Sequence, residues 1–371
     1  MRDFPEELLC SVAITLAYGV GPRIQTDLIS AFGTAPNVLK QSADALMQVN
    51  GIGPKTASAL VEPDLKIRAA ELLAECERLN VDVLLRDSGE YPERLREICD
   101  PPAILYRRGV LLPQDDLAIA VVGSRRCSTY GRRHAERLAG QLAQAGFTVV
   151  SGLARGIDLA AHQGAMNAAG RTIAVLAGGV RDIYPPEHDQ LAAEITQQGA
   201  LLSEMPLDQR ILPGLFPQRN RIISGLCLGV VVIEATRNSG ALYTARHAQE
   251  QGRDVFALPG PVESLSSVGC HDLIRDGVTL IRHVDDILEA LGPLPVPARR
   301  GPGITVHKPR ELTLNAVESR ILNLIGAHPI AIDDLLSSKT EEPSQVLATL
   351  TVLEMKRMIR RLPGNTVVRY D

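Results

Sequence analysis

The sequence predicts an α/β fold in which a doubly wound, mostly parallel sheet stands between an N-terminal helical module and a C-terminal winged helix. Three observations predict it. Short Val/Ile-rich runs alternate with amphipathic segments from Leu117 to Leu291, a Gly-x-Gly-Pro phrase recurs near the N-terminus, and three helical periods close the chain before a turn at Pro363-Gly364-Asn365. With 371 residues the chain exceeds one ordinary core, so several domains are expected. The start is acidic and has no apolar leader, and the longest apolar runs fall well short of the ~20 residues a membrane span needs, which predicts a soluble, cytoplasmic protein. Six cysteines without a C-x-x-C pair argue against a disulfide framework or a zinc site.

The first 80 residues read as helices. "YGVGPRIQTDLI" from Tyr18 and "NGIGPKTASALV" from Asn50 each place a Gly-x-Gly-Pro turn before a helix, the pattern of a helix-hairpin-helix (SAM-like) tandem. The N–H groups of such a helix start can face a phosphate. The module carries slightly more acid than base, so packing or protein contact stands beside DNA binding as its role. Residues 81–116, with several prolines, read as a covering extension. Over 117–291, "LAIAVVGS", "FTVVSG", "RTIAVLAGG", "ALLSE", "GVVVIEA", "RDVFALPG" and "VTLI" are strands separated by helices, as a Rossmann-like sheet covered on both faces requires. Residues 292–312, rich in Pro and Gly, read as a linker. Residues 313–371 read as a winged helix whose third helix offers Gln345, Thr349 and Thr351 and ends in Lys356, Arg357, Arg360 and Arg361. Both a DNA groove and a protein partner suit it.

Ligands of such a sheet bind beyond the carboxyl ends of the strands. There the chain places Gly123-Ser124-Arg125, then Ser151, Gly152, Arg155 and Gly156, then Phe216, Arg219, Asn220 and Arg221, and finally Ser239-Gly240 at a helix start. Small residues with free N–H groups suit an anion. Tight turns explain the glycines without explaining the arginines, whose planar forks suit phosphate. Every cation between Lys66 and Lys308 is arginine, a bias that base composition alone also produces, and the net charge of −4 shows no basic excess. Neither G-x-G-x-x-G nor G-x-x-x-x-G-K-[ST] is present, which predicts no nucleotide cofactor. No paired carboxylates or His-Glu-x-x-His stand out, so neither catalysis nor a metal is expected. Asp158 and His162, at i and i+4 in "GIDLAAH", read as a helix cap and a satisfied histidine, with a catalytic dyad as the alternative. Glu234, at the end of "GVVVIEA", is expected to pair with one of the arginines.

"GSRRCSTYG", "SGLARGIDLAAHQGAM", "TIAVLAGGVRDIYPPEHDQL", "FPQRNRIISGL" and "VVVIEATRNSGALYTARHA", in this order, closely resemble the DNA-processing protein A family (DprA, also called Smf). The resemblance implies a dimeric, non-enzymatic single-stranded-DNA-binding protein. Such a protein protects strands taken up in natural transformation and loads RecA recombinase on them, displacing single-stranded-DNA-binding protein. It implies three phosphate seats: Gly123, Ser124 and Arg125; Ser151, Gly152, Arg155 and Gly156; and Arg219, Asn220 and Arg221. Phe216 is either the base-stacking aromatic of the family or ordinary packing under its loop. Some members carry a base three residues before this aromatic, where this chain has Pro213, which reduces the expected groove charge. The sequence does not fix the dimer interface, for which the apolar stretch after "VFALPG" is the candidate. The domain is also similar to the Lonely-guy and lysine-decarboxylase-like nucleotide hydrolases. "EATRNSGALYTA" nevertheless lacks the paired glycines and downstream glutamate of their "PGGxGTxxE" segment, so that reading stays the alternative.

Overall fold

The computed structural model describes residues 4–292, 298–301, 304–326, 328–337 and 341–370. The chain divides into two compact units, Met1–Arg282 and His283–Asp371. The first opens with α1 (Glu6–Leu16), α2 (Pro22–Phe32), α3 (Ala35–Val38), α4 (Ala43–Leu46), α5 (Pro54–Leu60) and α6 (Leu65–Arg78). Each Gly-x-Gly-Pro phrase ends with its proline as the first helical residue, of α2 and of α5, where a missing N–H costs nothing. The module's core is continuous with that of the α/β part. Leu28, Leu60 and Leu73 share one apolar cluster with Tyr106, Ile195 and Leu201 of the α/β part.

Residues 81–116, read as a covering extension, instead add β1 (Asp82–Leu85), α7 (Glu93–Arg96) and β2 (Ile104–Gly109). Then β3 (Ala118–Gly123), α8 (Thr129–Gln144), β4 (Thr148–Ser151), α9 (Ile157–Asn167), β5 (Thr172–Val175), α10 (Asp189–Gln198) and β6 (Ala200–Ser203) alternate. They are followed by α11 (Leu215–Gly225), β7 (Gly229–Ile233), α12 (Gly240–Glu250), β8 (Asp254–Ala257), α13 (Val268–Arg275) and β9 (Thr279–Leu280). The strand order is β1-β2-β6-β5-β4-β3-β7-β8-β9. Strands β6 to β9 in that order run parallel, while β2 is antiparallel to β6 and β1 to β2.

The inner strands hold the sheet together. Val230, Val231, Val232 and Ile233 of β7 are all 0% exposed, each contributing about 1.5–3 kcal/mol by burial. From β3 the chain winds outward through β4, β5 and β6, then returns to lay β7 on the other side of β3. That reversal opens a crevice at the carboxyl ends of β3, β4 and β7, where both sets of loops diverge.

In the second unit α14 (Val284–Ala290) precedes the segment expected as a linker. Of that segment, 293–297 and 302–303 lie outside the described residues, while β10 (Ala298–Gly301) and β11 (Ile304–Val306) pair antiparallel. The winged helix follows as α15 (Ala316–Leu324), β12 (Ile330–Ala331), α16 (Ile332–Ser337), α17 (Pro343–Met355), β13 (Ile359–Leu362) and β14 (Thr366–Arg369). Among the polar residues proposed to face a partner, Thr349 is buried, Lys356 pairs with Glu318 at 2.7 Å and Arg361 with Glu354 at 3.2 Å. On α17 the exposed surface includes Leu347, Val352 and Met355. No helix among the described residues is long and apolar enough to cross a membrane.

Candidate nucleic-acid interface

Two cavities, of about 740 and 180 Å³, open at the carboxyl ends of the strands and share Arg125, Arg126, Ala154 and Phe216 as a common wall. Gly123, Ser124, Arg125, Gly152, Arg155, Phe216, Arg219, Asn220, Ser239 and Gly240, all anticipated from the sequence, line one or both. Ser151, Gly156 and Arg221 do not. Ser151 is fully buried and donates its hydroxyl to the Val121 carbonyl at 2.7 Å. Gly156 has φ +80°, and a Cβ there would lie 2.3 Å from the Ser124 carbonyl oxygen, so it joins two loops rather than seating an anion.

Arg219 and Arg221 sit within α11, both buried, and face different partners. Arg221 donates through Nη2 to both Glu204 oxygens, at 2.6 and 2.7 Å, and its Nε lies 3.1 Å from Asp100. It therefore braces α11 instead of facing the cleft. Arg219 forms part of the cleft floor. Its Nη1 donates to the Gly152 carbonyl at 2.7 Å and to the Val175 carbonyl, tying the ends of β4 and β5 together. Gly152 is required there because a Cβ would lie 2.3 Å from Nη1. Burial lowers the Arg219 pKa to about 10 and raises that of its neighbour Asp158, the two opposite charges each moderating the other's shift.

Most backbone donors anticipated for phosphate are already engaged. The Ser124 N–H donates to the Glu234 carbonyl at 2.8 Å, and the Gly152 N–H to the Asp158 carboxylate at 3.2 Å. The positive charge at the rim is carried by side chains instead. The Arg125 guanidinium lies 4.3 Å from the Phe216 ring centroid, a cation–π stack on an aromatic that is itself partly exposed. Arg155 pairs with Glu187 at 2.5 Å, with both side chains about half exposed. Ser239 caps α12, and Asn220 Nδ2 donates to the Gly240 carbonyl at 3.2 Å, fixing that helix start to α11.

Glu234 pairs with neither arginine. It sits at φ +52°, a conformation that costs a non-glycine residue about 1–3 kcal/mol, and its carboxylate accepts the Ser128 N–H at 2.8 Å and the Ser128 hydroxyl. The carboxylate thereby fills the N-terminus of α8. Four further lining residues were not singled out from the sequence: Arg126, Asp182, Tyr184 and Tyr243. All fall in loops and helix starts that the sequence places at this edge, but only packing distinguishes them from their neighbours.

Asp158 and His162 make no dyad. Asp158 caps the 152–154 loop, and His162, 0% exposed, bonds through Nδ1 to Thr172 Oγ1 at 2.7 Å. Burial, with His188 and Arg219 nearby, lowers the His162 pKa from 6.5 to about 3. The unfolded chain thus takes up a proton below about pH 6.5 that the fold refuses, so stability falls as pH drops through that window by about 1.4 kcal/mol per unit. Urea melts should show the stability gap between wild type and His162→Leu shrinking by that amount per unit from about pH 6 to 4. A gap that stays constant would refute this assignment.

The family model for DNA recombination-mediator protein A matches residues 82–292, that for the DprA winged helix domain 306–365, and that for a SAM-like helix-hairpin-helix tandem 17–62. Protein Smf of Synechocystis sp. is 33% identical across 95% of this chain and 96% of its own length. DNA processing protein DprA of Bacillus subtilis is 40% identical across 59% of this chain and 74% of its own. The X-ray structure of DNA processing protein A from Streptococcus pneumoniae superposes with a TM-score of 0.68 at 31% identity, covering 79% of this chain and 99% of that one. A Helicobacter pylori DNA processing protein A, solved to show its single-stranded DNA binding mode, gives 0.52 at 30% identity over 57% of this chain and 95% of that one.

Proposed function

Because the chain belongs to the DNA recombination-mediator protein A family, we propose that its α/β cleft binds single-stranded DNA. One observation carries this reading: a switch-point crevice walled by Arg125, Arg126 and Phe216, with Tyr184 and Tyr243 also lining it. Cations beside exposed aromatic faces hold a single strand by its phosphates and stack its bases, and they need no catalytic group. The single-strand binding of the Helicobacter pylori relative supports the same use. The protein then shields incoming strands, loads RecA on them in place of single-stranded-DNA-binding protein, and works as a homodimer. Val262 and Leu265, 86% and 80% exposed in the segment after β8, are the apolar surface offered for that dimer.

Fluorescence anisotropy with an oligothymidylate and its duplex form tests the reading. The single strand should bind more tightly, with affinity falling as salt rises by a slope of about −0.7 per phosphate contact. Arg125→Ala should lower that affinity about tenfold, the worth of a charge-assisted contact together with the stacked ring it supports, and flatten the slope by about one contact. Equal binding of duplex and single strand, or a variant indistinguishable from wild type, would refute the proposal.

A further inference from the structure

Resting on that strand-binding reading, we propose that Asp182 makes the smaller cavity a guanine-selecting pocket. The cavity, about 180 Å³, is lined by Phe216, Tyr184, Arg125, Arg155 and Asp182. The Tyr184 and Phe216 ring centroids are 6.5 Å apart at 59°, and Arg125 covers one face of Phe216. At about 180 Å³ the cavity is close to the ~150 Å³ that holds one benzene ring, so it admits no more than one base and leaves the sugar and phosphate outside. A base splayed out of its strand onto an aromatic is the usual way such a pocket is filled.

Asp182 is the one acidic residue of that lining. The neighbouring carboxylates are engaged, Asp158 by the Gly152 and Ala154 N–H groups and Glu187 by Arg155. Asp182 is exposed and makes no hydrogen bond or ion pair among the described residues. An unpaired carboxylate in a cleft for a polyanion repels phosphate, and only N–H donors on the ligand compensate that repulsion. The bases differ in what they offer. Guanine alone presents two adjacent donors on its Watson–Crick edge, the ring N1–H and the exocyclic amino group, matching the two carboxylate oxygens. Adenine and cytosine set an amino donor beside a ring-nitrogen acceptor, and thymine sets one N–H between two carbonyls; both arrangements bring acceptor against acceptor.

Anisotropy on four short oligonucleotides, all-thymine or carrying one central guanine, adenine or cytosine, tests the assignment. Wild type should prefer the guanine strand by about tenfold, within the range one bidentate pair discriminates. In Asp182→Asn, whose amide offers one donor and one acceptor, guanine affinity should fall and thymine affinity rise until the two converge. Phe216→Ala should weaken all four strands and remove the preference. A wild type without preference for guanine, or a preference that survives in Asp182→Asn, overturns the proposal. Wild type binding none of the four would instead bring down the strand-binding reading itself, and the selectivity with it.

Discussion

Arg219→Ala is expected to cost the fold about 3–5 kcal/mol and to abolish strand binding in the molecules that remain folded, the largest combined effect of any substitution in the cleft. Two losses coincide. The Gly152 and Val175 carbonyls lose their shared donor, and buried Asp158 loses the positive charge that offsets its desolvation. Because Arg219 ties the ends of β4 and β5, its removal also frees the loops that hold Arg155 and the small cavity. Lysine should rescue only part of the stability, since a single ammonium cannot reproduce the fork. Urea melts report the first loss and anisotropy of the folded protein the second. A wild-type midpoint in Arg219→Ala would show that the residue is dispensable to the floor.

Arg221→Ala should destabilise by a similar 3–5 kcal/mol while leaving single-strand affinity of the folded protein unchanged. The Glu204 carboxylate, its pKa already raised by burial, would be left facing no guanidinium, and Asp100 would lose its partner. Since a buried ion pair is often replaceable by apolar side chains of like volume, Arg221→Met combined with Glu204→Leu should recover most of the lost stability. A fall in affinity for Arg221→Ala beyond the unfolded fraction would place this arginine in the cleft after all. These neighbouring residues, identical in type and two positions apart, thus separate into a binding-floor role and a bracing role by two measurements on each variant.

The α/β core was legible because its strands are continuous apolar runs, a pattern that only a sheet covered on both faces accommodates. β1 and β2 were not. "DVLL" and "ILYRRG" are short, flank several prolines, and join the sheet only through pairing with β6 far along the chain. The cleft was legible as a set of loops at one edge, because topology alone sends them there. Side-chain direction was not, since it is decided by partners distant in sequence. Arg221 turns to Glu204 and Asp100, while Glu234 turns to Ser128, 106 residues away, and not to an arginine. A carboxylate at a strand end beside arginines gives no sign from sequence that a helix start has claimed it.

That claim on α8 shapes what the cleft can hold. In a dinucleotide-binding sheet the first helix start after the first strand grips a pyrophosphate with fixed N–H groups, and the grip is rigid and specific to one small ligand. Here the chain's own Glu234 carboxylate occupies that place, with the Ser128 N–H and hydroxyl turned to it. On the strand-binding proposal, a polyanion laid across the edge meets the Arg125 and Arg126 side chains, the first stacked on Phe216, in place of a ring of backbone amides. The hold is then set by side-chain cations at the rim and not by one helix start.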